Sequence, residues 1–309
     1  MNAGGAIMTN GSAEIRNCLF LQNNVDWASS FGGGAIQFVG QNLIENCIFQ
    51  ECSAAAGGAV LAYKYSDLTF KNCTFNRNEA LTGNGVGVTY GLSVVLENCI
   101  VANGTQGQGV IGGGITTLSH CNIFGNAGGD WVGDIAGQLG VDGNICENPL
   151  FVDGAHLDCH LRYDSPCRDA GDSSTGGFPD EDFEGDPRIA YGTIDMGFDE
   201  FYTHLYCTGQ FHPGGTVKAE FVGLPGASPM GLFIGSGVLD PPFHHMWGDF
   251  YLMAPWFLIP FGVAIPGNGV LEIVTTIPAT PAAPYEIFLQ ALIGLSSGSL
   301  TNLCLIEVR

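Results

Sequence analysis

One dipeptide, Asn-Cys, recurs through the first half of the chain and restricts the fold more than any other feature. It stands at Asn17-Cys18, Asn46-Cys47, Asn72-Cys73 and Asn98-Cys99, with His120-Cys121 as a degenerate fifth copy. The intervals are 29, 26, 26 and 22 residues. A glycine phrase recurs in step with it: Gly4-Gly5-Ala6-Ile7, Gly33-Gly34-Ala35-Ile36, Gly57-Gly58-Ala59-Val60, Gly85-Val86-Gly87-Val88 and Gly112-Gly113-Gly114-Ile115. A period of this size, made of short β-type runs and turn residues, signals a solenoid. Length varies between the anchors, as it must if loops are inserted beside a constant core.

The chemistry of one coil narrows the choice of solenoid. In Ile15-Arg16-Asn17-Cys18-Leu19-Phe20 the simplest inward set is Ile15, Cys18 and Phe20, with Asn17 at a corner. Asparagine tolerates the left-handed backbone that a tight corner demands. Stacked coils would place Asn17, Asn46, Asn72 and Asn98 above one another, with their amides hydrogen-bonded up and down as a ladder. Strands lie about 4.8 Å apart, so each coil pairs its backbone with the coils on either side. Runs such as Asp67-Leu68-Thr69-Phe70 and Val94-Val95-Leu96 suit the β sides of such a coil. Leucine-rich spacing and heptads are both missing. On these residues the chain resembles the right-handed parallel β-helix family, the architecture of pectate-lyase-like proteins. That family hosts enzymes, adhesins and passive surface proteins alike, so the resemblance implies fold and leaves activity open.

Downstream the pattern changes. Glu147-Asn148-Pro149-Leu150-Phe151-Val152-Asp153 is followed by Asp164-Ser165-Pro166-Cys167-Arg168-Asp169-Ala170-Gly171, then Gly185-Asp186-Pro187-Arg188 and Asp195-Met196-Gly197-Phe198-Asp199-Glu200. The series resembles the terminal segment of secreted bacterial β-helix proteins, which closes the last coil. Glu184 departs from it where Asp is usual, as does Phe198 where a small residue is common. From residue 205 onward, short apolar runs alternate with Pro and Gly turns, which suggests an antiparallel β-sandwich. The expected fold is therefore all-β: a right-handed parallel β-helix solenoid followed by a C-terminal antiparallel β-sandwich. Its parts are coils over 1–153, an acidic closing segment over 154–204 and the sandwich over 205–309. Met1 runs directly into a glycine phrase, so further coils, a cap and an export signal are expected upstream of this chain.

Charge excludes some partners. Nine Lys and Arg face thirty Asp and Glu, a formal net charge of −21. Nucleic acid calls for basic patches that replace counterions, and anionic membrane surfaces call for the same. The apolar stretch 250–265 is broken by Pro255 and Pro260 and is shorter than the roughly 20 residues of a spanning helix. The acidic, glycine-rich, lysine-poor composition suits an extracellular or cell-surface protein.

Cys18, Cys47, Cys73, Cys99 and Cys121 hold equivalent repeat positions and should stack inside as free thiols, since parallel side chains cannot reach disulfide geometry. Cys159 with Cys167, and Cys207 with Cys304, are candidate disulfides of an exported protein. Residues 169–200 carry ten carboxylates. Asp180, Asp182, Glu184 and Asp186 alternate there, as oxygen ligands for calcium would, and calcium is the one cofactor the sequence suggests. His156, Asp158 and His160 share a strand face and offer a weaker set for zinc or copper. Trp27, Tyr63, Tyr65 and Trp131 lie on loops, where aromatic rings can stack on sugars.

Lyases of this family use calcium-binding carboxylates and a basic residue on one outer face, and its glycosidases use paired carboxylates on adjacent coils. The coils offer only Arg16, Lys64, Lys71 and Arg77, with Glu14, Glu45 and Glu97 as acids. Arg16, Glu45, Lys71 and Glu97 directly precede the corner residue and read as a mixed-charge stripe. The sequence thus points to a non-enzymatic extracellular structural or binding protein, with a polysaccharide or cell-surface component as partner. A polysaccharide lyase or glycoside hydrolase is the alternative. Self-association through the N-terminal coil is expected from its unpaired edge.

Overall fold

The computed structural model describes residues 3–26, 32–89, 93–112, 114–162, 164–174, 177–189, 193–202 and 215. Beyond residue 202 it otherwise describes the backbones of the strands given below, and the side chains of Ala3, Val88 and Thr89 are also left aside. Two units are present: Met1–Leu161 with Ser165–Phe201, and Arg162–Asp164 with Tyr202–Arg309.

The first unit is a parallel β-solenoid with three faces, each a five-stranded parallel sheet. The first face stacks Ile7–Met8, Ile36–Phe38, Val60–Tyr63, Val86–Thr89 and Val110–Ile111. Ala13–Arg16, Gln41–Glu45, Asp67–Lys71, Ser93–Glu97 and Ile115–Ser119 form the second. Leu19–Leu21, Ile48–Gln50, Thr74–Asn76, Ile100–Ala102 and Asn122–Phe124 form the third.

Register follows the repeat. Ile15, Ile44, Phe70, Leu96 and Leu118 are partners in consecutive coils of the second face. Phe20, Phe49, Phe75, Val101 and Ile123 do the same on the third. The Phe20, Phe49 and Phe75 rings stack at 4.8 Å, nearly parallel. That is the strand spacing itself, so one interval satisfies both the backbone ladder and the rings. The corner residues Asn17, Asn46, Asn72, Asn98 and His120 have φ between 50° and 52°. The glycine phrase marks a place where the backbone comes too close for a side chain. A Cβ on Gly33 would collide with the Ile36 carbonyl and lie 2.6 Å from the Leu61 nitrogen.

Between the second and third faces Cys47, Cys73, Cys99 and Cys121 are buried free thiols, and Cys18 is half-buried in the first coil. Each buried thiol donates to a carbonyl of the preceding coil, such as Cys121 Sγ to Leu96 O at 3.3 Å.

The segment Gly133–Gln138 is a 3-10 turn that caps the fifth coil. The Gln138 side chain accepts from Leu118 N–H and donates to Thr116 O, both at 2.8 Å. These groups lie on the last strand of the second face, where the next coil would otherwise pair. Ile135 and Trp131 cover the core at this end.

The second unit is antiparallel. His204–Gly209, Thr216–Val222 and Val270–Thr276 form one sheet in that order. In another sheet Ser228–Gly235 lies between Trp256–Ile259 and Tyr285–Gly294, and Tyr285–Gly294 also pairs Ser299–Leu300 and Cys304–Val308. Val238–His245 and Gly248–Leu252 form a hairpin. Cys207 and Cys304 fall on strands of different sheets, and their side chains lie outside the described set.

Candidate functional site

The closing segment brings together the chemistry-bearing residues of the first unit, and the coils themselves determine where it docks. On the third face the outward residues Ile48 and Ile100 are apolar and buried. Ile48 packs with Cys159 and Phe198, and Ile100 with Leu161, Cys167 and Met196. The corner asparagines complete the attachment. Asn46 Nδ2 donates to Glu181 O at 2.8 Å, Asn72 Nδ2 to Asp195 O at 3.4 Å and Asn98 Nδ2 to Asp172 O at 3.2 Å. Asn98 Oδ1 accepts from Asp172 N–H, and Asn46 Oδ1 from the Arg188 guanidinium at 2.5 Å. The left-handed corner is therefore as expected, but the amide ladder is not. A side chain leaving such a corner faces outward, and these amides bind the closing segment instead of one another.

Inside the segment, carboxylates hold the backbone. Asp182 Oδ1 accepts the N–H groups of Glu184 and Asp186, and its Oδ2 accepts that of Glu200. Asp195 accepts from Asp169 N at 2.5 Å and Phe201 N at 2.7 Å. Burial pushes the Asp195 carboxyl up to about 7, against the pull of those two N–H groups. Burial likewise raises Asp182, and takes Asp186 up to about 7 with the charges of Asp182 and Glu184 adding to it. Arg188, 1% exposed, sits in the field of Asp182, Glu200, Asp199 and Asp195. Burial lowers its pKa, and its Nε and Nη1 find no hydrogen-bond partner among the described residues.

The four carboxylates read as a calcium set do not converge. Asp180 is exposed, Asp182 serves backbone N–H groups, and Glu184 turns to His160. Glu184 instead joins His160 and Asp199 in a cluster whose ligand atoms all lie within 4.8 Å of one another. Burial opposes the charge on His160, but Asp199, Asp158 and Glu184 raise its pKa well above the ordinary imidazole value. His156 does not share this cluster: it lies on a 3-10 turn, exposed, 2.9 Å from Asp153. Spacing alone placed His156, Asp158 and His160 on one strand, whereas the strand begins only at Asp158.

Cys159 and Cys167 are free thiols, not a disulfide. Asn76 donates to the first at 3.2 Å and Asn122 to the second at 3.0 Å. These asparagines belong to the third and fifth coils, about 10 Å apart along the axis at the usual strand spacing. Each thiol packs in a separate apolar cluster, and burial pushes both up to about 12.

The aromatic residues do not form one platform. Trp131 is 9% exposed and donates from Nε1 to Ile145 O at 3.1 Å, so its ring serves the cap. Tyr65 is 75% exposed in the turn after Val60–Tyr63, and Lys64 Nζ lies 5.2 Å from the Tyr63 ring centre. Trp27 lies outside the described residues. The charged stripe does form. Arg16, Glu45, Lys71 and Glu97 are register partners, with Arg16–Glu45 at 2.5 Å and Lys71–Glu97 at 3.3 Å. Beside it, across the first three coils, an open groove of 610 Å³ is lined by Ser12, Glu14, Gln41, Asn42, Asp67 and Thr69 among others.

Residues 1–145 match the family model described as Right handed beta helix region. Together with the stacked coils, that match supports a right-handed parallel β-helix repeat over these residues. No curated protein matches the chain.

Proposed function

We propose that this protein is an exported, non-enzymatic structural and binding module of the pectate-lyase-like type, acting outside the cell or at its surface. The observation that carries this is the use of the coils' charges. Arg16 is held by Glu45 and Glu14, Lys71 by Glu97, and Arg77 by Glu51. Three of the four coil bases are taken up in these pairs, with Glu14, Glu45 and Glu97 among their partners, and the fourth, Lys64, lies 5.2 Å from the Tyr63 ring centre. A lyase base or glycosidase acid pair drawn from the paired residues would have to break these pairs first. The C-terminal strands, in this proposal, fold as a β-sandwich appended to the helix.

The groove on the second face is the proposed binding surface. Its hydroxyl, amide and carboxylate side chains suit the hydroxyl groups of a sugar chain, and the net charge of −21 favours a neutral polysaccharide over an anionic one. Titration calorimetry against neutral and anionic polysaccharides, with assays for new reducing ends and unsaturated products, tests both halves. Expected is binding of a neutral polymer with no product formed, weakened at least tenfold by combining Gln41→Ala with Asp67→Ala. Product formation would establish the hydrolase or lyase alternative, and an absence of binding to every polymer would remove the groove.

A further inference from the structure

We infer that His160, Glu184 and Asp199 form a site for a borderline divalent cation of the zinc class, which staples the closing segment to itself. These residues come from three separate stretches. His160 lies on the strand Asp158–Leu161, Glu184 on the turn between Asp182 and Asp186, and Asp199 on the stretch that ends the unit. Their ligand atoms all lie within 4.8 Å of one another, close enough for a single ion to draw them onto one coordination sphere.

Two further observations point to a ligand. Asp199 is 2% exposed; its Oδ2 accepts Leu161 N–H at 2.8 Å, while its Oδ1 has no hydrogen-bond partner among the described residues. A carboxylate oxygen that is buried and unmatched is costly, and a cation beside it removes the cost. The second is the orientation of the imidazole. Asp158 Oδ1 lies 2.6 Å from His160 Nδ1, which leaves Nε2 facing Glu184 Oε1 at 3.2 Å. A carboxylate on one ring nitrogen, with the other directed at a set of anionic oxygens, is the arrangement that orients histidine toward a metal.

The donor set selects the ion. One imidazole nitrogen and two carboxylates suit zinc or a similar borderline metal, whereas calcium takes six or more oxygen ligands. Packing of the His160 ring 5.7 Å from that of Phe198 keeps one side of the site apolar. Glu184 is the most exposed of the three and provides the side from which the ion enters.

The test uses the full chain, freed of metal with a chelator and dialysed. Zinc added in a calorimeter should bind one ion per chain, with millimolar calcium unable to displace it. Glu184→Gln, on the exposed side, should fold and lose at least tenfold in affinity. Asp158→Asn, whose side-chain hydrogen bonds among the described residues go to His160, should lose about tenfold or more. Cobalt(II) checks the ligands, because nine described thiols are free. Its spectrum should lack a thiolate charge-transfer band, and the signal should shift in Glu184→Gln. A thiolate band, equal zinc affinity in Glu184→Gln and the parent, or calcium outcompeting zinc would each overturn the inference.

Discussion

At the scale of single residues, the corner asparagines combine two roles that one substitution series can separate. Asn98 adopts φ 52° and binds Asp172 at two points, through Nδ2 to its O and through Oδ1 to its N. Glycine keeps the left-handed corner but removes both hydrogen bonds. Alanine removes the bonds and adds the left-handed penalty of roughly 1–2 kcal/mol. With each hydrogen bond contributing about 1 kcal/mol, Asn98→Gly should lower unfolding stability by about 2 kcal/mol, and Asn98→Ala by a further 1–2 kcal/mol. Urea denaturation measures both. A glycine variant as stable as the parent would show that the amide does not hold the closing segment, and equal glycine and alanine values would show that the corner carries no conformational demand. The recurrence of Asn made this corner legible in sequence. A second left-handed corner, at Gln22, Glu51, Arg77 and Asn103 with φ between 52° and 58°, was not, because four different residue types occupy it.

At the scale of elements, the closing segment is where sequence and structure diverge most. Its motifs located it along the chain, but not on the coil, since the contacts span separations such as Asn46 to Arg188. One signal was available: in Cys47-Ile48-Phe49 and Cys99-Ile100-Val101 the apolar run is continuous, which marks a strand buried on both sides. Four of the ten carboxylates, Asp180, Asp182, Glu184 and Asp186, read as calcium ligands on a loop, yet Asp182, like Asp195, Asp199 and Glu200, is buried and receives backbone N–H groups. Periodicity carries no information about such burial. It does carry a consequence for pH. Asp195, raised to about 7 in the fold, faces Asp169, Arg168 and Arg188. Above that value the folded protein holds the carboxylate charged and buried; between about 4 and 7 the folded state binds a proton that the unfolded state has released. Stability contributed by this group is therefore fully present below about 4 and is lost as pH rises through 7. Urea midpoints at pH 5, 6 and 7 should fall in that order and level off toward pH 8, and Asp195→Asn should reduce the slope, leaving the part that Asp186 contributes. Stability that climbs over the same range would mean that its two N–H bonds outweigh burial, and that the carboxylate is charged throughout.

At the scale of the whole molecule, the two ends of the coil stack differ. Gln138 and the 3-10 turn satisfy the last strand of the second face, whereas among the described residues the strands of the first coil pair on one side only. That first coil also leaves Met8 53% and Leu19 52% exposed, with Ile7, Ile15 and Cys18 only partly covered. An unpaired strand edge beside exposed apolar side chains is a template for another chain, and a second copy offers the same edge, so a closed two-fold pair can form. Opposing this is the net charge of −21 on each copy. That repulsion is long-ranged and is cut off at about 10 Å in 0.1 M salt and about 3 Å in 1 M. The intramolecular pairs at Arg16, Lys71, Arg77 and Arg168 weaken in salt as well, but pairs that solvent reaches contribute little to begin with. Screening should therefore favour association. Light scattering on the 309-residue chain is expected to show a monomer at low ionic strength and a dimer at high ionic strength. Leu19→Lys, which places a charge on the third-face strand of the open edge, should hold the protein monomeric under both conditions. A monomer at every salt concentration would show that the first coil is not a pairing surface. A dimer that dissociates on adding salt would place the contact in ionic groups elsewhere.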